Sequence, residues 1–250
     1  MKPKATRKRL DILLVERGLA DSLQKALAMI LAGEVQVNGQ RAKAAGDTTP
    51  VDARIELNSR AQKYVGRGGL KLEGALQDFA VLVAGCVCLD VGSSTGGFTD
   101  CLLQSGAARV YAVDVNIAQL AWNLQQDARV IRLERNAREL LPTDIPGLAD
   151  LVVMDVSFIS VAKVLTPALA CARVDAKVLV LVKPQFELGR EEIGEGGIVT
   201  DRALHDKAIS QVRAAGEAAG VAWLGVQPSK LTGAEGNQEY FLHGRKKPQE

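Results

Sequence analysis

Cysteine is scarce: four residues in 250. That is too few for a disulfide scaffold, and a reduced, cytoplasmic protein is the default expectation. No apolar run approaches the ~18 uninterrupted residues that a spanning helix requires. The strongest stretch, Val178–Val182, is short and β-branched and reads as a buried strand. No apolar core follows the basic residues at the start, so no secretory signal is expected. There is no internal repeat and no low-complexity tract. The two histidines, His205 and His243, have no Ser or Cys motif partner, so no catalytic role is assigned to them. Cys86, Cys88, Cys101 and Cys171 lack paired C-x-x-C spacing, so they read as small buried hydrophobes and no metal is expected. What remains is ordinary for a globular chain: 47% hydrophobic, 24% charged, mean hydropathy +0.05. The length suits more than one minimal domain and fewer than three.

Charge divides the chain. Residues 1–71 carry 14 Lys/Arg against 7 Asp/Glu, a balance of +7, and the remainder is −5. A basic front suits an anionic partner; a solvated basic surface that binds nothing fits the charge equally well. Residues 2–9 read as a flexible basic arm. Leu10, Leu13 and Leu14 mark a helix stopped by Gly18. A second helix runs from about Ser22 to Ala32, with Asp21 as cap, Gly33 as stop and an apolar stripe of Leu23, Leu27, Ile30 and Leu31. Val35-Gln36-Val37 before Asn38-Gly39 predicts a hairpin, and Arg54–Leu57 a further strand. These elements make an α+β module over residues 1–60. Linker-like residues from 58 onward lead to a junction at 61–65, and a second domain spans 66–250.

From residue 87 strands and helices alternate. The predicted strands are Val87–Leu89, Arg109–Val113, Val130–Leu133, Leu151–Met154, Val178–Val182, Trp223–Val226 and Glu239–Leu242. The predicted helices are Gly97–Gln104, Ile117–Leu124, Ser160–Ala172 and Asp201–Ala219. This is the pattern of a doubly wound, Rossmann-like α/β fold with a seven-stranded, mainly parallel sheet. The last two strands are joined by about a dozen residues with no helical pattern, so the last strand is expected to be antiparallel.

The strongest local signal is Asp90-Val91-Gly92-Ser93-Ser94-Thr95-Gly96-Gly97-Phe98, between a strand and a helix. The spacing departs from the G-x-G-x-x-G dinucleotide fingerprint. An acid two residues before Gly92 would repel a diphosphate and attract an ammonium group. Asp114 ends the second strand, 22 residues after Gly92, where an acid commonly holds ribose hydroxyls. An amino-acid end joined to a ribose describes S-adenosylmethionine; a structural turn is the plain alternative. Asp90, Gly92, Ser93, Ser94, Gly97 and Asp114 are the candidate cofactor residues. Asp155 and Lys183 end parallel strands on the same rim, and an antiparallel last strand brings Glu239 there as well. Lys71, in Gly66-Arg67-Gly68-Gly69-Leu70-Lys71, supplies a second cation. Phe98 and Trp122 read as packing residues rather than base-stacking platforms. The glycine-rich segment Glu187–Val199 reads equally as a mobile lid or a surface loop.

These motifs, with Arg9-Leu10-Asp11, Val37-Asn38-Gly39, Asp155-Val156-Ser157-Phe158-Ile159-Ser160, Val182-Lys183-Pro184-Gln185-Phe186-Glu187 and Gly236-Asn237-Gln238-Glu239, resemble the TlyA (hemolysin A) family. Its members are ribosomal RNA 2′-O-methyltransferases with an FtsJ-like catalytic domain behind an S4-like RNA-binding domain, and the resemblance covers nearly the whole chain. It implies a catalytic tetrad of Lys71, Asp155, Lys183 and Glu239, with Lys183 acting on the proton of a ribose 2′-hydroxyl. It implies S-adenosylmethionine as methyl donor, a cytidine target in ribosomal RNA and no membrane partner. A monomer is expected. Lys8, Arg9, Lys43 and Arg67 are the expected phosphate contacts. A pore-forming hemolysin, a nicotinamide-dependent dehydrogenase and a non-catalytic RNA-binding assembly factor are the rival readings.

Overall fold

The computed structural model describes residues 6–248 except 43, 45, 58–62, 234 and 235. The chain divides into two compact units, residues 1–62 and 63–250.

In the front unit, β1 (Arg7–Arg9) leads into α1 (Leu10–Glu16), α2 (Leu23–Ala32), β2 (Val35–Val37), β3 (Gln40–Arg41), β4 (Thr48–Pro50) and β5 (Ile55–Leu57). Residues 7–9, expected in a flexible arm, instead pair antiparallel with β4. The Asn38-Gly39 turn joins β2 to β3, and β5 pairs on the other side of β2. Ser22, rather than Asp21, caps α2, its side chain accepting the Lys25 N–H at 3.1 Å. The expected stripe on α2 is also corrected. Ala26 and Ile30 are buried with Leu10, Leu14, Ala20 and Val35, while Leu23, Leu27 and Leu31 face outward. So small a unit buries only the narrow strip of α2 that meets α1, and Ala26 permits that close approach.

The second unit begins with α3 (Arg67–Asp78), a helix that its glycines conceal in the sequence. There follow β6 (Val87–Val91), α4 (Gly97–Gln104), β7 (Arg109–Asp114), α5 (Trp122–Gln125), β8 (Val130–Glu134), β9 (Ala149–Met154), α6 (Ala162–Ala170), β10 (Ala172–Val182), α7 (Pro184–Glu187), α8 (Arg202–Ala218), β11 (Val221–Pro228) and β12 (Tyr240–Lys246). They form one seven-stranded sheet in the order β11-β12-β10-β9-β6-β7-β8. Strands β10, β9, β6, β7 and β8 are mutually parallel, and β12 runs antiparallel between β10 and β11. Leu89, Val91, Val152 and Val180 point into one apolar layer with α6 and α8. Cys88, Val110, Val153 and Leu179 point into the other, with α3 and α4. Ile117–Leu124 is not one helix: a single 3-10 turn at Ile117–Gln119 precedes α5. Leu120 and Leu124 turn inward and Trp122 is 74% exposed, contrary to its expected packing role. Phe98 is buried, stacked 6.1 Å from Phe241.

Candidate active site

The turn after β6 sets the geometry of the site. Gly92 has φ +86°, and a Cβ there would lie 2.5 Å from the Asp155 carbonyl oxygen, so only glycine lets the turn pass beneath the end of β9. Asp114 fastens the turn from the neighbouring strand. Its Oδ2 accepts the Ser94 N–H at 2.9 Å, and its Oδ1 accepts the Asn116 N–H at 2.9 Å.

A cavity of about 570 Å³ opens on this rim, with Gly92, Ser94, Asp114, Asn116, Asn136 and Phe158 among its lining residues. A smaller one of about 180 Å³ adjoins it, lined by Arg67, Ser93, Gly97, Asp155, Ser157 and Lys183 among others. Gly92, Ser94, Asp155 and Ser157 line both. Ser93 lines the smaller cavity, and its Oγ is buried with no hydrogen-bond partner.

Asp90 lies elsewhere. It lines neither cavity, is wholly buried under the turn, and accepts the Thr99 hydroxyl at 2.6 Å. Burial pushes its carboxyl up to about 7, opposed by the Thr99 hydrogen bond. It supports the turn and the start of α4 from beneath, and its Oδ1, like Ser93 Oγ, is buried with no hydrogen-bond partner.

The four charges form two buried pairs. Lys71 Nζ meets Glu239 Oε2 at 2.5 Å, and Lys183 Nζ meets Asp155 Oδ1 at 2.5 Å. Lys183 Nζ also donates a hydrogen bond to Ser157 Oγ at 2.7 Å. The strands explain the proximity. Val182 is paired with Tyr240, so Lys183 and Glu239 are the next residues at adjoining ends of β10 and β12. Pro184 holds Lys183 extended, with φ −113° and ψ 102°. Lys71 lies one turn along α3 from Arg67 and Gly68, and a side chain at Gly68 would stand against Phe98 and Asp155.

Of the expected phosphate contacts, Arg67 lines the smaller cavity and reaches toward the Thr232 carbonyl at 3.4 Å. In the front unit Lys8 pairs with Glu16 at 2.7 Å and Arg9 with Asp11 at 2.6 Å, both cations exposed. Lys43 lies outside the described residues. Arg7 and Arg41 line a further cavity of that unit. Sequence reasoning did not select Ser157, or Phe158, which is 93% exposed with φ +64° at the mouth of the larger cavity. A bulky residue in the left-handed region is uncommon and strained. The segment 187–199 is tied down: Asn237 Nδ2 donates to the Gly197 carbonyl at 2.9 Å, and its Oδ1 accepts the Val199 N–H at 2.8 Å. His205 has a structural place beside it, bonded to the Tyr240 hydroxyl and the Val199 carbonyl, each at 2.8 Å. Among the described residues no group of three or more His, Cys, Asp or Glu is placed to hold a metal.

Five parallel strands with an antiparallel strand inserted beside them, and a glycine turn opening a cavity at the strand ends, define the Rossmann-like methyltransferase fold. The same fold occurs in an S-adenosylmethionine-dependent methyltransferase of Mesorhizobium loti, at TM-score 0.54 and 17% identity over 72% of this chain and all of that one. Residues 64–246 match the FtsJ-like methyltransferase family and residues 8–55 the S4 domain. The chain therefore belongs to the FtsJ-like methyltransferase family, in the branch that carries a front S4 domain. It is 48% identical over 243 residues, 95% of this chain and 90% of the other, to the 16S/23S rRNA (cytidine-2′-O)-methyltransferase TlyA of Mycobacterium tuberculosis. A structure from Streptococcus thermophilus, provisionally named a hemolysin, is 39% identical at TM-score 0.76, covering 98% of this chain and 90% of that one.

Proposed function

We propose that this methyltransferase acts on ribosomal RNA, placing a methyl group on a ribose 2′-hydroxyl, with S-adenosylmethionine as donor and cytidine as the target nucleotide. The observation that carries the reading is the pair of buried Lys–carboxylate contacts beside a glycine-turn cavity. When bound, S-adenosylmethionine supplies an electrophilic methyl group on a sulfonium. The larger cavity suits its nucleoside, with the Asp114 carboxylate at the wall, and Ser93, which lines the smaller cavity and has an unpartnered Oγ, suits a polar group of its amino-acid end.

The chain's own task is to hold the accepting oxygen in line and to manage its proton. Lys183 Nζ, fixed at a strand end, would take or polarise the 2′-hydroxyl proton as the oxygen accepts the methyl group. Asp155 holds the charge of Lys183. Glu239 fixes Lys71, which aligns the ribose and its phosphate. Arg67 grips phosphate at the cavity mouth. Phe158 offers an open aromatic face for a base. In the front unit, the exposed Lys8 exchanges Glu16 for a phosphate, the exposed Arg9 reaches a second phosphate, and Lys43 adds to them by its charge. A single chain carries every group this account uses, and the cell compartment is that of the ribosomal RNA.

The test is transfer of labelled methyl from S-adenosylmethionine to 16S and 23S RNA within ribosomal subunits, with nucleoside digestion to identify the product. 2′-O-methylcytidine is expected; a base-methylated product or no transfer contradicts the reading. The hemolysin name of the Streptococcus protein suggests a membrane-lytic activity. No helix among the described residues is long and apolar enough to cross a membrane. Liposome leakage measured on the same preparation separates the two.

A further inference from the structure

One contact of Lys183 lies outside the four charges and the glycine turn. Its Nζ donates to Ser157 Oγ at 2.7 Å. Ser157 stands two residues after Asp155 in the loop leaving β9, so both side chains that hold Nζ come from one short segment. That segment is locked at its far end. Glu187 accepts the Ser160 hydroxyl at 2.5 Å and the Val161 N–H at 2.9 Å. Glu187 belongs to α7, which begins at the residue after Lys183. The rings of Phe158 and Phe186 lie beside it, tilted, with centroids 5.3 Å apart. Strand end, lysine, helix and loop thus close into a ring.

We propose that Ser157 is a positioning residue for the transfer step: its hydroxyl sets the direction in which Lys183 Nζ presents its remaining valences to the cleft. This rests on the reading that Lys183 meets the 2′-hydroxyl. An ammonium carries three donors that rotate freely about the end of a flexible stem, so a charge partner alone does not orient it. Asp155 holds Nζ from one side, its Oδ1 2.5 Å away. Ser157 supplies the second contact that fixes the rotation of Nζ, and it lines both cavities, so what it aligns faces the substrate. A hydroxyl is suited to this place for a chemical reason. It accepts from an ammonium and donates to a neutral amine, so the contact persists whichever protonation state Lys183 holds. A carboxylate could not donate in its ionised form.

The experiment is single-turnover methylation of the rRNA substrate by full-length wild type, Ser157→Ala, Ser157→Thr and Lys183→Ala. Dissociation constants for S-adenosylmethionine and RNA, and melting temperatures, are measured alongside. Loss of a hydrogen bond to a charged group predicts a rate roughly 10- to 100-fold lower for Ser157→Ala, with both binding constants and the melting temperature unchanged. Ser157→Thr, which keeps a hydroxyl, should restore most of the rate. Ser157→Ala at the wild-type rate beside an inactive Lys183→Ala overturns the proposal and leaves Lys183 its role. Equal losses in Ala and Thr, or a fall in rate matched by a fall in melting temperature, overturn it as well. An active Lys183→Ala overturns the underlying reading and the proposal with it.

Discussion

Lys71 and Glu239, 168 residues apart in sequence, meet as a buried ion pair with Nζ 2.5 Å from Oε2. The pair joins α3, at the start of the second unit, to the antiparallel strand at its end. Removing one partner leaves the other charged and buried. Lys71→Met or Glu239→Gln alone should each cost about 3–5 kcal/mol of unfolding free energy, and the Lys71→Met/Glu239→Leu double variant less than the sum. Urea denaturation of the four proteins checks this; additive losses contradict it.

Asp90 makes stability fall with rising pH. Its carboxyl titrates at about 7 in the folded chain, above its unfolded value, because burial penalises the anion. Between about pH 4 and 7 the folded state therefore holds more protons at this group than the unfolded state, and this contribution falls as pH rises. The loss has a ceiling on the order of 4 kcal/mol. Asp90→Asn should flatten the slope and be more stable than wild type above pH 7. Melting temperature across pH 4–8 checks it; parallel curves for the two proteins count against it.

Glycine turns and strand ends were the legible part of the molecule, because they are marked by chemistry rather than by context. The strand pattern, the antiparallel last strand and the convergence of Asp155, Lys183 and Glu239 could be read without coordinates. Helix α3 could not. Gly66-Arg67-Gly68-Gly69 has the composition of a loop, yet a Cβ at Gly68 would lie 3.3 Å from the Phe98 ring, so the glycine answers a packing demand from a distant contact. The α2 stripe failed for a related reason: leucines at 23, 27 and 31 define a face, but not which face a small unit can cover. Ser157 and Phe158 sit inside a motif whose legible residue is Asp155. Nothing in a sequence distinguishes a serine that meets a lysine from one that meets water.

Asp114 should govern cofactor affinity. Its carboxylate accepts the Ser94 N–H and the Asn116 N–H while lining the larger cavity, so Asp114→Ala loosens the turn as well as removing a carboxylate from the cavity wall. The loss of charge-assisted hydrogen bonds predicts S-adenosylmethionine binding weaker by roughly 10- to 100-fold. Calorimetric titration decides it, and unchanged affinity removes Asp114 from the cofactor site.

Phe158 should trade stability for activity. It is almost wholly exposed, so its truncation opens no cavity, and glycine relieves its positive φ. Phe158→Gly should melt at or above the wild-type temperature while the apparent affinity for RNA falls; a lost base stack is worth about 1–3 kcal/mol. A destabilised variant with normal RNA affinity would reverse both halves of the prediction.

The account stands on Lys183 as the residue that meets the 2′-hydroxyl, and one measurement addresses it directly: single-turnover transfer of labelled methyl to ribosomal RNA by Lys183→Ala. Circular dichroism and S-adenosylmethionine binding serve as controls. The prediction is a folded protein that binds the donor with wild-type affinity and forms no 2′-O-methylcytidine. A folded, donor-binding variant that methylates the same nucleotide at near the wild-type rate would contradict the assignment and the mechanism built on it.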